Sequence, residues 1–364
     1  MVEGGEIFWH DLCESFAKLG HEVTLYAAPG SKCPTNGKLH YIPESTGGTS
    51  MYVSVDPMRV LYSRDILGSD YIIDASHTKP TMEEIAYFHR EAKWKTIGIL
   101  NGVVSHTPLC PRYNLVVGSE KWKWLLEHGY TQFIDTKWAA KYGANLNPLP
   151  DKAIIGVIPW AVNTDFYCPS DTNDDYFLWF SRPTPYKGLG RAINLAMATG
   201  IRLVLAMPME IAEHKYWGEE YTKQIISARQ KGAKIEIVQL PNDSHHHEAK
   251  RELYRNAKAL LFTIEAHEGF GLVVAEALAC GTPVIASNMG AMPEIIKQGH
   301  TGYLVNVEDD SIDNWQRAIG WVNEGLIDPR DCRADAVARF DRMVAAKRYI
   351  ELRERLGRIH QEAL

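Results

Sequence analysis

EAHEGFGLVVAEALACG, residues 265–281, is the stretch on which the reading of this chain turns. Two carboxylates, Glu268 and Glu276, have seven residues between them, and Gly269 and Gly271 follow the first. An apolar run over 272–279 carries the second. ALLFTI (259–264) before it and PVIAS (283–287) after it read as strands. The spacing therefore predicts a strand, a glycine turn, a helix and a strand. A helix that starts after such a turn has unpaired backbone N–H groups and the positive end of its dipole, which suit a phosphate. Glycines let that backbone approach an anion without a Cβ in the way. A carboxylate accepts two hydrogen bonds side by side and so suits a diol. The bland alternative is a common α/β turn, with Glu276 an exposed helix residue.

The whole string from 268 to 287 closely resembles the E-x7-E signature of family-4 retaining glycosyltransferases, a family of GT-B fold that uses nucleotide-sugar donors. SRPTPYKG (181–188) follows a strand and resembles the family's GR-x-x-x-KG turn. The resemblance implies that Arg182 and Lys187 hold the donor's diphosphate. A guanidinium and an ammonium can neutralise the charge that grows on a leaving phosphate; standing alone, the two would read as solvated charges on a loop. The resemblance further implies that Glu268 contacts the donor hexose and that Glu276 accepts from the ribose hydroxyls. The N–H groups around Phe270, Gly271, Leu272 and Val273 would cap phosphate and sugar. Gly4 and Gly5 would let an N-terminal loop approach the phosphates. NMGAMPEII (288–296) and TGYLV (301–305) match further family segments, and Gly290 is expected near the site. VIPWAVNTDFYCP (157–169) resembles the family's domain-joining segment and departs from it at Trp160, Ala161 and Asn163.

Strand and helix patterns alternate along both halves, which predicts parallel sheets with right-handed crossovers. In the first half, strands fit 21–28, 71–75, 96–100, 115–117 and 154–160; helices fit 7–19, 82–93 and 120–128. In the second, strands fit 176–180, 202–206, 234–238, 259–264 and 283–287; helices fit 190–198, 219–231, 248–256, 272–279 and 310–324. The expected fold class is α/β: two doubly wound Rossmann-like domains facing across a cleft, with a C-terminal helix that crosses back. The expected division is 1–168, an acceptor-side domain; 169–344, a nucleotide-sugar domain; and 345–364, the returning helix, with CPSDTNDD (168–175) as the linker. Gly4, Gly5 and Glu6 match the family's first turn, yet almost nothing precedes them. The first strand of the N-terminal sheet is therefore expected to be missing, through truncation or because the sheet begins differently.

The sugar side of the site departs from the family. A histidine common after the strand at 96–100 is replaced by Asn101. Asn101 can donate a hydrogen bond to a sugar hydroxyl but cannot act as a general base. His77, after another strand, matches a second family position where histidine is frequent; His106 is a weaker candidate, and a loop histidine is usually just polar surface. His245, His246 and His247 read as a solvated loop, because neighbouring imidazoles cannot surround one ion. Trp122 and Trp124, beside Lys121 and Lys123, raise a membrane surface as a contact, but their alternate spacing puts them on different helix faces and makes core packing the default.

Composition agrees with this reading. The chain has 364 residues, too many for one typical core; 45% are hydrophobic and 23% charged, as in globular proteins. The net charge of −6 and the lack of a basic tract argue against nucleic acid as a partner. Six scattered cysteines without C-x-x-C pairs argue against a zinc site and for reduced thiols. No apolar run spans a bilayer, and the opening MVEGGEIFWH is not a signal peptide. A cytoplasmic protein is expected, with contact at the inner face of a membrane as an option. No Asp-x-Asp cluster stands at a strand end, so no metal is expected; the resemblance likewise implies none. The expected activity is hexose transfer from a nucleotide-diphosphate sugar to a sugar, a lipid-linked sugar or a small molecule. A nucleotide-sugar epimerase or phosphorylase, or a catalytically weak nucleotide-sugar-binding protein, is the alternative.

Overall fold

The structure is a computed structural model. It describes residues 4–27, 37–41, 68–74, 95–100, 114–143, 145, 148–149, 152–171, 174–207, 218–240, 246–306 and 311–362. In chain order the strands are β1 (Thr24–Ala27), β2 (Lys38–Tyr41), β3 (Ile72–Asp74), β4 (Thr96–Leu100), β5 (Leu115–Val117), β6 (Ile154–Val157), β7 (Phe177–Phe180), β8 (Leu203–Met207), β9 (Ile235–Gln239), β10 (Ala259–Phe262), β11 (Val284–Ser287) and β12 (Gly302–Val305). The longer helices are α1 (Gly4–Lys18), α2 (Glu120–Glu127), α3 (Leu189–Thr199), α4 (Gly218–Gln230), α5 (His246–Asn256), α6 (Leu272–Ala279), α7 (Ile312–Asn323), α8 (Pro329–Phe340) and α9 (Arg342–Glu362). The helix expected over 82–93 lies outside the described residues.

Two compact units result. The N-terminal unit holds Glu3–Thr131, Asn145–Ala161 and Arg342–Leu364; the C-terminal unit holds Gln132–Ala144 and Val162–Asp341. The divisions thus fall after 161 and 341, where the sequence suggested 168 and 344.

In the N-terminal unit, β3-β4-β5-β6 form a parallel sheet, and β1 pairs in parallel with β2. Its core joins Leu12 and Phe16 of α1, Ile97 and Ile99 of β4, and Val116 of β5 to Ala345, Ala346, Tyr349 and Leu352 of α9. Those α9 positions share one helical face, so the last helix seats an apolar stripe on the first half of the chain. The buried Arg342 anchors its start by reaching Asp11 of α1 at 3.3 Å. The expected return of the C-terminal helix is observed.

In the C-terminal unit, six parallel strands run in the order β12-β11-β10-β7-β8-β9. FLWF, LVLAM, ALLF and VIAS are buried along their whole length. Strands covered on both faces read as continuous apolar runs rather than alternating ones. α6, LVVAEALA, is apolar all round for the same reason and packs on α8. From β7 the sheet winds outward through β8 and β9, and from β10 through β11 and β12. The order reverses between the adjacent strands β7 and β10. Ligands of such sheets bind beyond the carboxyl ends of the strands at this reversal. The loops that leave β7 and β10 there are the two that carry the sequence motifs.

Candidate functional site

Gly188 decides how closely these two loops can approach. It ends a short 3-10 turn, Pro185–Lys187, and starts α3 with φ at 74°. A Cβ there would lie 1.6 Å from the Thr263 carbonyl oxygen. Without one, the loops are stitched: Thr263 Oγ1 donates to the Gly188 carbonyl at 2.8 Å, and Glu265 N–H to the Tyr186 carbonyl at 2.8 Å. Arg191, one turn into α3, donates to the carbonyls of Thr263 and Ile264 and lies 3.6 Å from the Glu265 carboxylate. Glu265 also holds Lys137 at 2.8 Å and the Trp138 indole N–H at 3.2 Å. We expect Gly188→Ala to cost at least about 2 kcal/mol, since left-handed backbone strain adds to a clash with backbone. Thermal unfolding checks this; an unchanged melting temperature would show that the loops can separate freely.

Stitching the loops brings Lys187 to Glu268. The ammonium pairs with Glu268 Oε2, and the two side chains remain 17% and 23% exposed. Gly290, with φ at 60°, packs against the Glu268 backbone: a Cβ there would lie 2.4 Å from Glu268 N. The Gly290 N–H donates to His267 Nδ1, and Ala291 N–H to the Glu268 carbonyl. Gly271, with φ at 91°, caps α6 and brings no side-chain acceptor to it. The first N–H groups of α6, from Leu272 and Val273, have no acceptor within the helix. The Phe270 side chain is buried edge-on against Phe340, so what it offers a ligand is backbone. Lys187, Glu268, Phe270, Gly271, Leu272, Val273 and Gly290 therefore belong to one region, with Arg182 exposed on the same β7 loop.

Glu276 is not an exposed helix residue. Its side chain is 2% exposed, and Lys250 Nζ of α5 lies 2.7 Å from Oε1. The Tyr254 hydroxyl, one turn further along α5, donates to Oε2 at 3.1 Å. Burial, then the Glu276 charge, push the Tyr254 hydroxyl well above the usual tyrosine range. Sequence reading missed Arg191, Glu265, Lys250 and Tyr254. Arg191 and Glu265 border the two motifs and were legible as charges flanking them; Lys250 and Tyr254 carry no motif signal.

Gly4 and Gly5 open α1 in the N-terminal unit, so the loop expected there is the first turn of a helix. Asn101, His77 and His106 lie outside the described residues, as does His245. His246 and His247 start α5 rather than a solvated loop. Burial lowers the His247 pKa to about 4, with Lys250 adding to the effect, so this imidazole is neutral at pH 7. Trp122 is in the core while Trp124 is 40% exposed, stacked on His128, as their alternate spacing implied. A groove of about 710 Å³ lies along α3 and α4, bordered by Lys137, Trp138, Arg191 and Glu265. Neither Lys187 nor Glu268 lines it, so it is distinct from the region at the sheet reversal. Among the described residues, no group of His, Cys, Asp and Glu could hold a metal ion, and no helix is long and apolar enough to cross a membrane.

Residues 168–337, which hold every one of these loops, match the family model described as Glycosyl transferases group 1. This half of the chain is similar to group 1 glycosyltransferases. The similarity of residues 268–287 to glycosyltransferases is thus met by the family match. Over 169 residues the chain is 28% identical to a probable sucrose-phosphate synthase of Thermosipho melanesiensis, covering 43% of this chain and 37% of that one. The chain spans well under half the length of the curated relatives it matches. The sucrose-phosphate synthase of Thermosynechococcus elongatus superposes with a TM-score of 0.68 at 15% identity, over 98% of this chain and 94% of that one. Anabaena HepE, solved in complex with UDP-glucose, gives 0.65 at 15% identity, over 98% and 96%. At such identities the likeness is one of fold, and the fold is the GT-B fold of glycosyltransferases.

Proposed function

We propose that this chain is a glycosyltransferase that transfers a hexose from a nucleotide-diphosphate sugar, with retained anomeric configuration, to a sugar, lipid-linked sugar or small-molecule acceptor. One observation carries the reading: at the reversal of the six-stranded sheet, Lys187, Glu268 and the open start of α6 converge. An ammonium and helix N–H groups suit a diphosphate. A carboxylate beside them suits hexose hydroxyls. The solved complex of HepE with UDP-glucose, on the same fold, supports the donor class.

In this reading Arg182 and Lys187 take up the charge that develops on the leaving diphosphate, which is the main contribution to rate. The N–H groups of Leu272 and Val273 hold phosphate and sugar in place, and Gly290 lets the Glu268 backbone sit close beneath. Glu268 orients the hexose. The carboxylate of Glu276 has four acceptor positions, of which Lys250 and Tyr254 use two; the ribose hydroxyls would take others. Gly4 and Gly5 would offer the start of α1 to the phosphates. Asn101, and in second place His77, would donate to the transferred sugar.

The test is transfer from a panel of nucleotide sugars to a panel of sugar acceptors, with the anomeric configuration of the product read by NMR. Retained configuration is expected, and activity should persist in EDTA because fixed cations take the metal's place. Inverted product would overturn the retaining mechanism. Loss of activity in EDTA, restored by magnesium or manganese, would overturn the role given to Arg182 and Lys187. Conversion of the donor without any acceptor would replace transfer by epimerisation.

A further inference from the structure

We propose that Lys250 is a positioning residue of the donor site, holding Glu276 ionised and oriented toward the ribose diol with the help of Tyr254. The proposal rests on the assignment of Glu276 to the ribose. Lys250 and Tyr254 stand four residues apart on α5 and so present one face to α6. Each supplies one donor to one carboxylate oxygen, at 2.7 and 3.1 Å. The Lys250 side chain is 5% exposed and its ammonium lies over the rings of Phe180, Tyr167 and Tyr254, at 5.5, 5.7 and 5.9 Å. Phe180 is the last residue of β7, which puts this cage at the sheet reversal, where the motif loops begin.

A buried ion pair is seldom the cheapest way to fill a core, because apolar residues of the same volume usually do as well or better. At this place the pair has a chemical use. A hydroxyl donates well to a carboxylate and poorly to a neutral carboxyl group. Burial alone favours the neutral group; a cation within hydrogen-bond reach reverses that preference. Two fixed donors also hold both oxygens, and with 2% of the side chain open, orientation decides whether a ligand hydroxyl meets an acceptor. The groups facing Glu276 are Lys250, Tyr254 and, on its own helix, Cys280; Tyr167 and His247 adjoin Lys250. Burial pushes the Tyr254 hydroxyl and the Cys280 thiol upward and His247 down to about 4. None of these three changes charge near pH 7.

The probes are UDP, GDP and ADP, of which the tightest binder to the wild-type chain is carried forward with its 2′,3′-dideoxy counterpart. Calorimetry gives Kd at pH 7 for wild type, Lys250→Met, Lys250→Arg, Tyr254→Phe and Glu276→Gln, with melting temperatures alongside. Lys250→Met should weaken the diol-bearing ligand about ten- to hundredfold at pH 7, because one of the two donors that orient the carboxylate is gone. Lys250→Arg should restore most of the affinity, and the dideoxy ligand should bind all variants alike. Tyr254→Phe uncovers no charge, so it stays informative if Lys250→Met does not fold; a loss of about two- to tenfold is expected. A lowered melting temperature in Lys250→Met with unchanged Kd would make the pair purely structural and overturn the proposal, as would unchanged affinity in Tyr254→Phe. If Glu276→Gln weakens binding and Lys250→Met does not, only the role of Lys250 fails. If Glu276→Gln binds like wild type, or no probe binds at all, the ribose assignment itself fails.

Discussion

Glu276→Ala is expected to destabilise the C-terminal unit by about 3–5 kcal/mol, because it strands the buried Lys250 ammonium among three aromatic rings. Spread over a unit of this size, that lowers the melting temperature by on the order of 10 °C. The motif read alone suggests that alanine at this position disturbs binding and leaves the fold intact. The structure corrects that: the carboxylate is internal and is the counter-charge of an internal cation. Glu276→Leu combined with Lys250→Met should recover most of the loss, since it removes both charges and fills the space with apolar groups. Differential scanning calorimetry of the single and double variants is the check. A fall of under about 2 °C in the single variant would mean that Lys250 finds water or another anion when Glu276 is gone. Affinity tests at this position are therefore cleaner with glutamine than with alanine.

The reason the sequence missed this pair is distance along the chain. Lys250 and Tyr254 precede Glu276 by 26 and 22 residues and sit in HEAKRELYRN, a segment of almost uninterrupted polar residues. Nothing in its pattern says that one lysine points inward. What was legible has local causes. The strands β7, β8, β10 and β11 announce themselves as unbroken apolar runs, and α6 as an apolar run after glycine. Gly271 and Gly290 were picked out by resemblance; both have positive φ, and at Gly290 a Cβ would also collide with the Glu268 backbone. Gly188 was seen only as the end of a motif, although its contact with Thr263 fixes the two loops. α8 was not expected at all: its buried positions Cys332, Asp335, Ala336 and Phe340 are small or sparse among charges, so the helical period is faint. The segment Gln132–Ala144 was assigned with its neighbours in sequence, yet it belongs to the C-terminal unit, where the Gln132 carbonyl accepts from His267 N–H and Trp138 donates to Glu265. Such attachments depend on long-range pairing, which no short window records.

Lys187→Ala should leave the fold nearly unchanged and lower turnover about a hundred- to a thousandfold, the usual loss when one preorganised donor to developing charge is removed. Stability is expected to change little for two reasons. The ion pair with Glu268 is partly open to water, at 17% and 23% exposure, and such pairs contribute on the order of 1 kcal/mol or less. The structural contacts of this residue are backbone ones: its carbonyl accepts from the Trp179 indole at 3.3 Å and its N–H donates to Thr184, and alanine keeps both. The effect on rate follows from where the ammonium is held. Gly188 and the stitched loops fix its base, and Glu268 holds its tip beside the start of α6. An ammonium already in place need not reorganise when the leaving diphosphate gains charge, whereas water would. Lys187→Arg keeps the charge but not the reach, and a smaller loss is expected. The decisive measurement is kcat at saturating donor, with the melting temperature measured on the same preparations. A variant with wild-type kcat would remove Lys187 from the leaving-group role, and a kcat loss matched by a large fall in melting temperature would assign the residue to the fold instead.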